Sequence, residues 1–387
     1  MFFRIIGTTV CCFGKILSAA AQITFGVTET LLMLELNNNS CYLILANLAF
    51  ISTIFSRSYT RIPAVWKQFD LTKEQENIWQ LSNITWKKII TILTIISGLL
   101  TGLAISIQAY IGIKWLIKQL IDFNKYNINF ISEIFAIYCA LSSLFTFYIF
   151  VVKNSIHNTN LLLESISNIN ICNLNSQIIT PICKTFLVSF LGAFSYGSFA
   201  YFNIKIFLND HLHFKHNNLI CIISSIFLLA RFYSTIMSRV AETFKFFMQP
   251  NAISYDILDD KNKKLFYLLF FITMIDVMSY FSSYTYGSYD LMTNISDNQI
   301  AIKIIAITTA ISAGYLHYIF SIRRKILLPI MTTWIQKQNN CTLLNENLYI
   351  QKATLSTSSS IFSANNILTT ETVDAQSESQ STIKMDK

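Results

Sequence analysis

The sequence predicts an all-α integral membrane protein whose eight transmembrane helices form four repeated helical hairpins, followed by a disordered C-terminal tail. Three observations predict this class: the composition, a series of apolar stretches, and short strings that recur along the chain. Of the 387 residues, 53% are hydrophobic and only 13% are charged. A soluble domain carries roughly 25% charged residues. We therefore expect lipid to surround most of the polypeptide.

Eight stretches are long and apolar enough to cross about 30 Å of hydrocarbon as helices. They lie near 9–33, 41–57, 89–113, 129–152, 182–207, 218–238, 265–289 and 300–322. Short polar connectors join them in pairs, so a transmembrane domain over 1–335 divides into hairpins at about 9–57, 89–152, 182–238 and 265–322. The N-terminal run has some features of a signal peptide, but Lys15 interrupts it. We expect this run to remain as the first span.

The hairpins are predicted to repeat because similar strings occupy similar places in them. The string Ser-Thr-Ile-Phe-Ser-Arg at 52–57 recurs as Ser-Thr-Ile-Met-Ser-Arg at 234–239. One glycine falls in the first helix of each hairpin, at intervals of about 85 to 90 residues: Gly26, Gly112, Gly197 and Gly287. The chain has only 10 glycines in total, so the regular interval favours a fourfold repeat. Membrane composition bias is the alternative explanation.

The distribution of cations predicts the orientation. Lys and Arg are concentrated in the connectors between hairpins and are scarce at the hairpin tips. Both termini are therefore predicted to be cytoplasmic, in a membrane that the sequence does not identify. Lys114 and Lys118 lie near the outer end of the third span, where we expect them to extend toward the headgroups.

The segment 336–387 differs in composition from the rest of the chain. It is rich in Ser, Thr, Asn and Gln and contains no long apolar run. Such a segment buries too little surface to offset its ordering entropy, which predicts a disordered cytoplasmic tail. The tail is either a simple solvated end or a docking, phosphorylation or export signal, and docking would imply a protein partner.

No motif for catalysis, nucleotide binding or a paired-cysteine metal site occurs. We therefore expect no enzymatic activity, no cofactor and no metal. The net charge of +8 is spread between apolar runs rather than gathered in one patch, so nucleic acid is not an expected partner. The bilayer is the partner that the composition indicates.

Ionisable residues inside the predicted spans are the remaining candidates for a functional site, because placing them in hydrocarbon is costly. Arg231 and Asp276 fall near the middle of the sixth and seventh spans, where an ion pair between them is expected. That pair is either structural or a gated polar site. Glu29, toward the outer end of the first span, is a candidate acidic site or a headgroup-level residue. Gln22 and Gln108 are expected to form interhelical hydrogen bonds.

The recurring string places small polar residues on one helix face, at Ser52 and Ser56 and again at Ser234 and Ser238. Such residues favour close helix packing. Alternatively, they line a polar pathway, with the arginine that ends each string as an entrance for anionic headgroups or solutes.

The hairpin repeat and the charges at mid-membrane depth favour a transporter or channel for an ion, a small solute or a lipid. The alternative is a non-transporting membrane scaffold, or a secreted bacterial effector that inserts in a target membrane.

Overall fold

The computed structural model of the chain describes residues 2–36, 39–68, 85–120, 127–147, 176–248 and 258–338. Regular secondary structure within these ranges is entirely helical, and eight of the helices are long and apolar enough to cross a membrane. The predictions of an all-α fold and of a multi-pass membrane protein are therefore confirmed. The end of the fourth predicted span and the predicted tail beyond residue 338 lie outside the described residues.

Six of the eight helices are longer than the apolar stretches that predicted them; the fourth and the eighth are the exceptions. The bounds of all eight are α1 Phe2–Met33, α2 Asn39–Gln68, α3 Thr85–Leu120, α4 Asn127–Phe147, α5 Ser176–Ile206, α6 Asn217–Met248, α7 Asp260–Thr293 and α8 Gln299–His317. Two π-helical segments, Phe207–His211 and Tyr318–Leu327, continue α5 and α8. A hydropathy criterion stops where charges begin, whereas backbone hydrogen bonding continues through them. For this reason α2 extends well past Arg57.

The helices pack most extensively in sequential pairs: α1 with α2, α3 with α4, α5 with α6, and α7 with α8. The first helices of these hairpins form a closed ring in which α1 contacts α3, α3 contacts α5, α5 contacts α7, and α7 contacts α1. Each second helix also packs on the first helix of the preceding hairpin: α4 on α1, α6 on α3, α8 on α5, and α2 on α7. The packing is therefore cyclic, and the repeat in the sequence stays a prediction.

Two of the regularly spaced glycines lie where ring helices approach closely. A methyl group added at Gly26 of α1 would come within 2.4 Å of the Cβ atom of Ser283 in α7. A methyl group at Gly112 of α3 would come within 3.0 Å of the backbone nitrogen of Gln22 in α1. Both glycines therefore allow the first helix of one hairpin to approach the first helix of the preceding hairpin.

The remaining two glycines differ from each other. A methyl group at Gly287 of α7 would lie 2.7 Å from the Cα atom of Phe199 in α5, which follows the same cyclic order. Gly197 of α5 instead faces the carbonyl oxygen of Leu228, 2.9 Å from the added methyl, in the second helix of its own hairpin. The cyclic order of glycine contacts is therefore interrupted at the third hairpin.

Polar side chains also connect helices toward the hairpin tips. Lys114 of α3 forms a 2.6 Å ion pair with Glu133 of α4, and the Tyr110 hydroxyl donates to the other carboxylate oxygen of Glu133. Lys114, which is predicted to lie near the headgroups, therefore has a carboxylate partner within the protein. Lys118, one turn further along α3, is exposed.

Candidate functional site

A cavity of about 450 Å³ lies among the helices, and all eight helices contribute residues to its wall. Its most distinctive feature is charge. Among the residues that the structure describes, seven cationic side chains line it and no Asp or Glu does: Lys15, Arg57, Arg61, Arg231, Arg239, Arg324 and Lys325. Since wall residues come from every helix of the cyclic arrangement, the cavity occupies the centre of the bundle.

The cations come from only part of the bundle. Lys15 belongs to α1, Arg57 and Arg61 to α2, and Arg231 and Arg239 to α6, while the other two follow α8. In an alternating bundle, the start of α1 and the ends of the second helices lie on one side of the membrane. The cationic part of the cavity therefore faces the side that the sequence predicts to be cytoplasmic.

The π-helical segment Tyr318–Leu327 supplies one wall of the cavity. It brings Phe320, Ser321, Arg324 and Lys325 to the lining. A π-helix has a wider turn than an α-helix, which changes the direction of the side chains that follow, and such segments are frequent at functional sites. Apolar residues of the same segment, among them Ile322 and Leu327, are fully buried and anchor it.

Tyrosine rings hold three of the arginines. The Arg57 guanidinium lies 5.1 Å from the ring centre of Tyr280. Arg231 and Arg239 lie 5.3 and 4.6 Å from the ring centre of Tyr196, and an Arg239 N–H donates to the Tyr196 hydroxyl at 2.9 Å. Stacking on an aromatic face stabilises a guanidinium and leaves its N–H edges available to other acceptors.

A buried polar cluster lies beside the cavity. Asp276 of α7 is 0% exposed and His317 is 1% exposed, and a 2.8 Å contact joins the Asp276 carboxylate to His317 Nε2. Thr53 of α2 donates to the other carboxylate oxygen at 2.9 Å. The His317 ring stacks on Tyr280 at 3.9 Å between centres, and both rings border the cavity. These contacts join α2, α7 and α8, near the middles of α2 and α7.

This cluster corrects the expected ion pair between Arg231 and Asp276. The two residues are not within ion-pairing distance of each other. Asp276 is paired with His317 instead, and Arg231 lies between the rings of Tyr196 and Phe147. The two residues share only a similar position along their helices, whereas helix rotation decides which side chains meet.

The two copies of the recurring string occupy different environments. Ser234 and Ser238 of α6 line the cavity, as does the arginine that follows them. Ser52 and Ser56 of α2 are buried; Ser52 donates to the Ala49 carbonyl oxygen, and the Ser56 hydroxyl has no hydrogen-bond partner. The arginine that ends each copy, Arg57 or Arg239, lines the cavity. Whether the serines serve packing or a polar pathway stays a prediction.

The other polar candidates also differ in whether they line the cavity. Gln22 and Gln108 line the cavity, and the buried amide nitrogen of Gln22 has no hydrogen-bond partner, contrary to the expected interhelical bond. Glu29 is half-buried on α1 and does not line the cavity. The four regularly spaced glycines are absent from the lining and belong to helix crossings.

Sequence reasoning missed several residues of this site. Five residues that border the cavity were not among the predicted site residues: Lys15, Arg61, Lys325, Tyr280 and His317. A signal existed for His317, an ionisable residue within the eighth apolar stretch, and for Lys15, which interrupts the first. No signal distinguished Tyr280 from the chain's many other tyrosines.

In the part of the chain that the structure describes, no group of three or more His, Cys, Asp or Glu residues is placed to hold a metal ion. No protein-family model, characterised protein or solved structure matches this chain. The function must therefore be inferred from the geometry and charge of the cavity.

Proposed function

We propose that this protein is a membrane transporter or channel for anions and that the central cavity is its binding site. The observation that carries the proposal is a cavity whose wall, in the described part of the chain, has seven cationic side chains and no carboxylate. The cavity lies at the centre of eight helices of membrane-spanning length, which is where a translocation pathway would run.

The cost of placing cations in a membrane supports an anionic ligand. Arg231 lies near the middle of α6, where a Lys or Arg in hydrocarbon costs about 2.5–3.5 kcal/mol on insertion scales. Arg324 is compensated by Glu242 at 3.0 Å. Lys15 shares the cavity wall with Arg57, Arg61 and Arg231, so that like charges meet there. A bound anion relieves this repulsion, whereas a cation would add to it.

The same cavity favours transport over scaffolding. A helical scaffold needs only a tightly packed apolar interior, and unpaired cations would destabilise it. Here the interior contains a polar cavity, whose wall includes the hydroxyls of Ser234 and Ser238 and the amide of Gln108. A polar, charged centre is the feature expected of a pathway for solutes.

Ion flux in liposomes tests the proposal. The full-length protein is reconstituted in phosphatidylcholine vesicles, and the efflux of chloride, nitrate and phosphate is compared with that of sodium and potassium. We expect anions to cross faster than cations. Replacing Arg231 with Gln is expected to reduce the anion flux, because this half-buried guanidinium lines the cavity. The matched control is Lys184→Gln, which removes an exposed cation of α5 outside the lining.

Two results would refute anion transport. One is the absence of any anion flux from vesicles in which protease protection shows the protein to be inserted. The other is a preference for cations that Arg231→Gln leaves unchanged.

A further inference from the structure

The charges around the cavity indicate which class of anion it binds. This inference rests on the proposed function above. Arg324 has its own carboxylate partner in Glu242. The other six cations of the lining form no salt bridge with a carboxylate among the described residues. One monovalent anion would neutralise only one of these charges. A ligand that carries several negative charges in a small volume matches the cavity better.

The donor groups indicate phosphate oxygens as the acceptors. Arg57 is only 7% exposed, and its Nε–H has no hydrogen-bond partner, although it lines the cavity. The buried amide nitrogen of Gln22, another lining residue, also has none. A buried donor without an acceptor is costly, so both positions favour a ligand that supplies oxygen atoms.

Arginine rather than lysine predominates around the site. Arg57, Arg61, Arg231 and Arg239 present planar guanidinium groups, of which three are oriented by tyrosine rings. A guanidinium binds two oxygens of one phosphoryl group at once, a geometry that a halide does not offer. The fixed rings hold the guanidiniums in place, which lowers the entropic cost of binding.

The size and the uncharged wall indicate an organic part in the ligand. A volume of about 450 Å³ falls within the range of cavities that hold small organic molecules. Besides the cations, the uncharged side chains of Ile23, Ile105, Phe199 and Tyr284 line the cavity. These side chains offer no charge and suit the carbon skeleton of a phosphate ester or the glycerol region of a lipid.

We propose that the cavity binds a phosphate-bearing organic anion, with the phosphoryl group held by Arg57, Arg231 and Arg239 and the organic part placed against Phe199 and Tyr284. A phosphoryl group bonded to an organic part occurs both in soluble phosphate esters and in the headgroups of anionic phospholipids. The arginines recognise the phosphoryl group in either source.

Binding to the full-length protein in nanodiscs of phosphatidylcholine tests this inference. The probes are glucose 6-phosphate, inorganic phosphate, sodium chloride and glucose, all at one ionic strength, and the readouts are the dissociation constant and the thermal shift. We expect glucose 6-phosphate to bind at least about tenfold more tightly than chloride, because one charge-assisted hydrogen bond alone is worth about that factor. Glucose is expected not to bind.

Variants assign the binding to the cavity. Arg231→Gln is expected to weaken glucose 6-phosphate binding about tenfold, and Lys184→Gln is expected to leave it unchanged. Gln22→Leu removes an uncharged donor and is expected to weaken binding without altering the charge of the cavity. Arg57 is buried, so Arg57→Gln risks misfolding. Arg231 is only half-buried, so Arg231→Gln is the variant that tests the site.

A second arm distinguishes the two sources. Nanodiscs that contain phosphatidylglycerol are compared with phosphatidylcholine nanodiscs. If a lipid headgroup occupies the site, phosphatidylglycerol will compete with glucose 6-phosphate and will be retained in native mass spectra of the wild-type protein but not of Arg231→Gln. Unchanged affinity in both lipids assigns the site to a soluble ester.

The inference is overturned if chloride competes as well as glucose 6-phosphate, or if neither Arg231→Gln nor Gln22→Leu alters binding. Its failure is distinguishable from failure of the proposed function. Chloride flux without phosphate selectivity refutes the phosphate class and leaves anion transport standing. Tight phosphate binding without any flux refutes transport and leaves the phosphate class standing.

Discussion

Substituting Gly287 with Ala tests the close contact between α7 and α5. The new methyl group would lie 2.7 Å from the Phe199 Cα atom and 3.0 Å from its Cβ atom, whereas ordinary contacts begin at 3.4 Å. Because the nearest atom belongs to the backbone, no side-chain rotation relieves the clash. The two helices must separate locally by about 0.7 Å, the difference between 3.4 and 2.7 Å.

The expected cost follows from that separation. Overpacking a well-filled interior destabilises by about 1–3 kcal/mol, and the better helix propensity of Ala returns about 0.5–1 kcal/mol. At the midpoints of these two ranges, the free energy of unfolding should fall by about 1.2 kcal/mol. Gly314→Ala in α8 is the matched control, because its methyl group would meet the Phe281 Cβ atom at 3.2 Å and nothing else closer than 3.6 Å. Its effect should be within about 0.5 kcal/mol.

Thermal unfolding in one detergent, followed by size-exclusion chromatography with fluorescence detection, measures both variants. Gly287→Ala should lose its monodisperse peak at a lower temperature than the wild type, and Gly314→Ala should resemble the wild type. The reasoning is refuted if Gly287→Ala is as stable as Gly314→Ala. Equal stability would mean that the two ring helices are not in close contact at this crossing.

Three further substitutions test individual polar contacts in the same unfolding assay. Asp276→Asn should lower the free energy of unfolding by about 1.5–3 kcal/mol, because His317 loses a charged hydrogen-bond partner; a neutral effect would show that the carboxylate is not buried. Glu133→Gln should cost less than about 1 kcal/mol, since its ion pair with Lys114 is partly exposed; a larger loss would contradict that exposure. Ser143→Ala, which removes a 2.8 Å hydrogen bond to α1, should cost about 0.6 kcal/mol, and stability above the wild type would argue against that bond.

The membrane class and the number of spans followed from the sequence because both depend on local composition. Runs of apolar residues of the right length require helices in lipid, whatever their neighbours are. The helix ends were less accessible to this reasoning. α2 continues past Arg57 to Gln68 because a helix does not end where hydrophobicity ends.

The pairing of ionisable residues was not accessible to sequence reasoning. Arg231 and Asp276 share a membrane depth, and a depth argument therefore matched them. The partner of Asp276 is His317, on the second helix of the same hairpin. The correct pairing depends on the rotation of each helix about its own axis, which packing against several neighbours sets.

The amino-acid sequence by itself determined that eight segments are long and apolar enough to cross a membrane as helices and that sequential helices pair, because both follow from the composition and spacing of local segments. Only the tertiary structure decided that the hairpins close into a ring and that seven scattered cations surround one cavity. Residues from Lys15 to Lys325 meet there because helix rotation and close crossings such as that at Gly287 set which faces point inward. Those rotations come from the simultaneous packing of eight helices, which no single segment encodes.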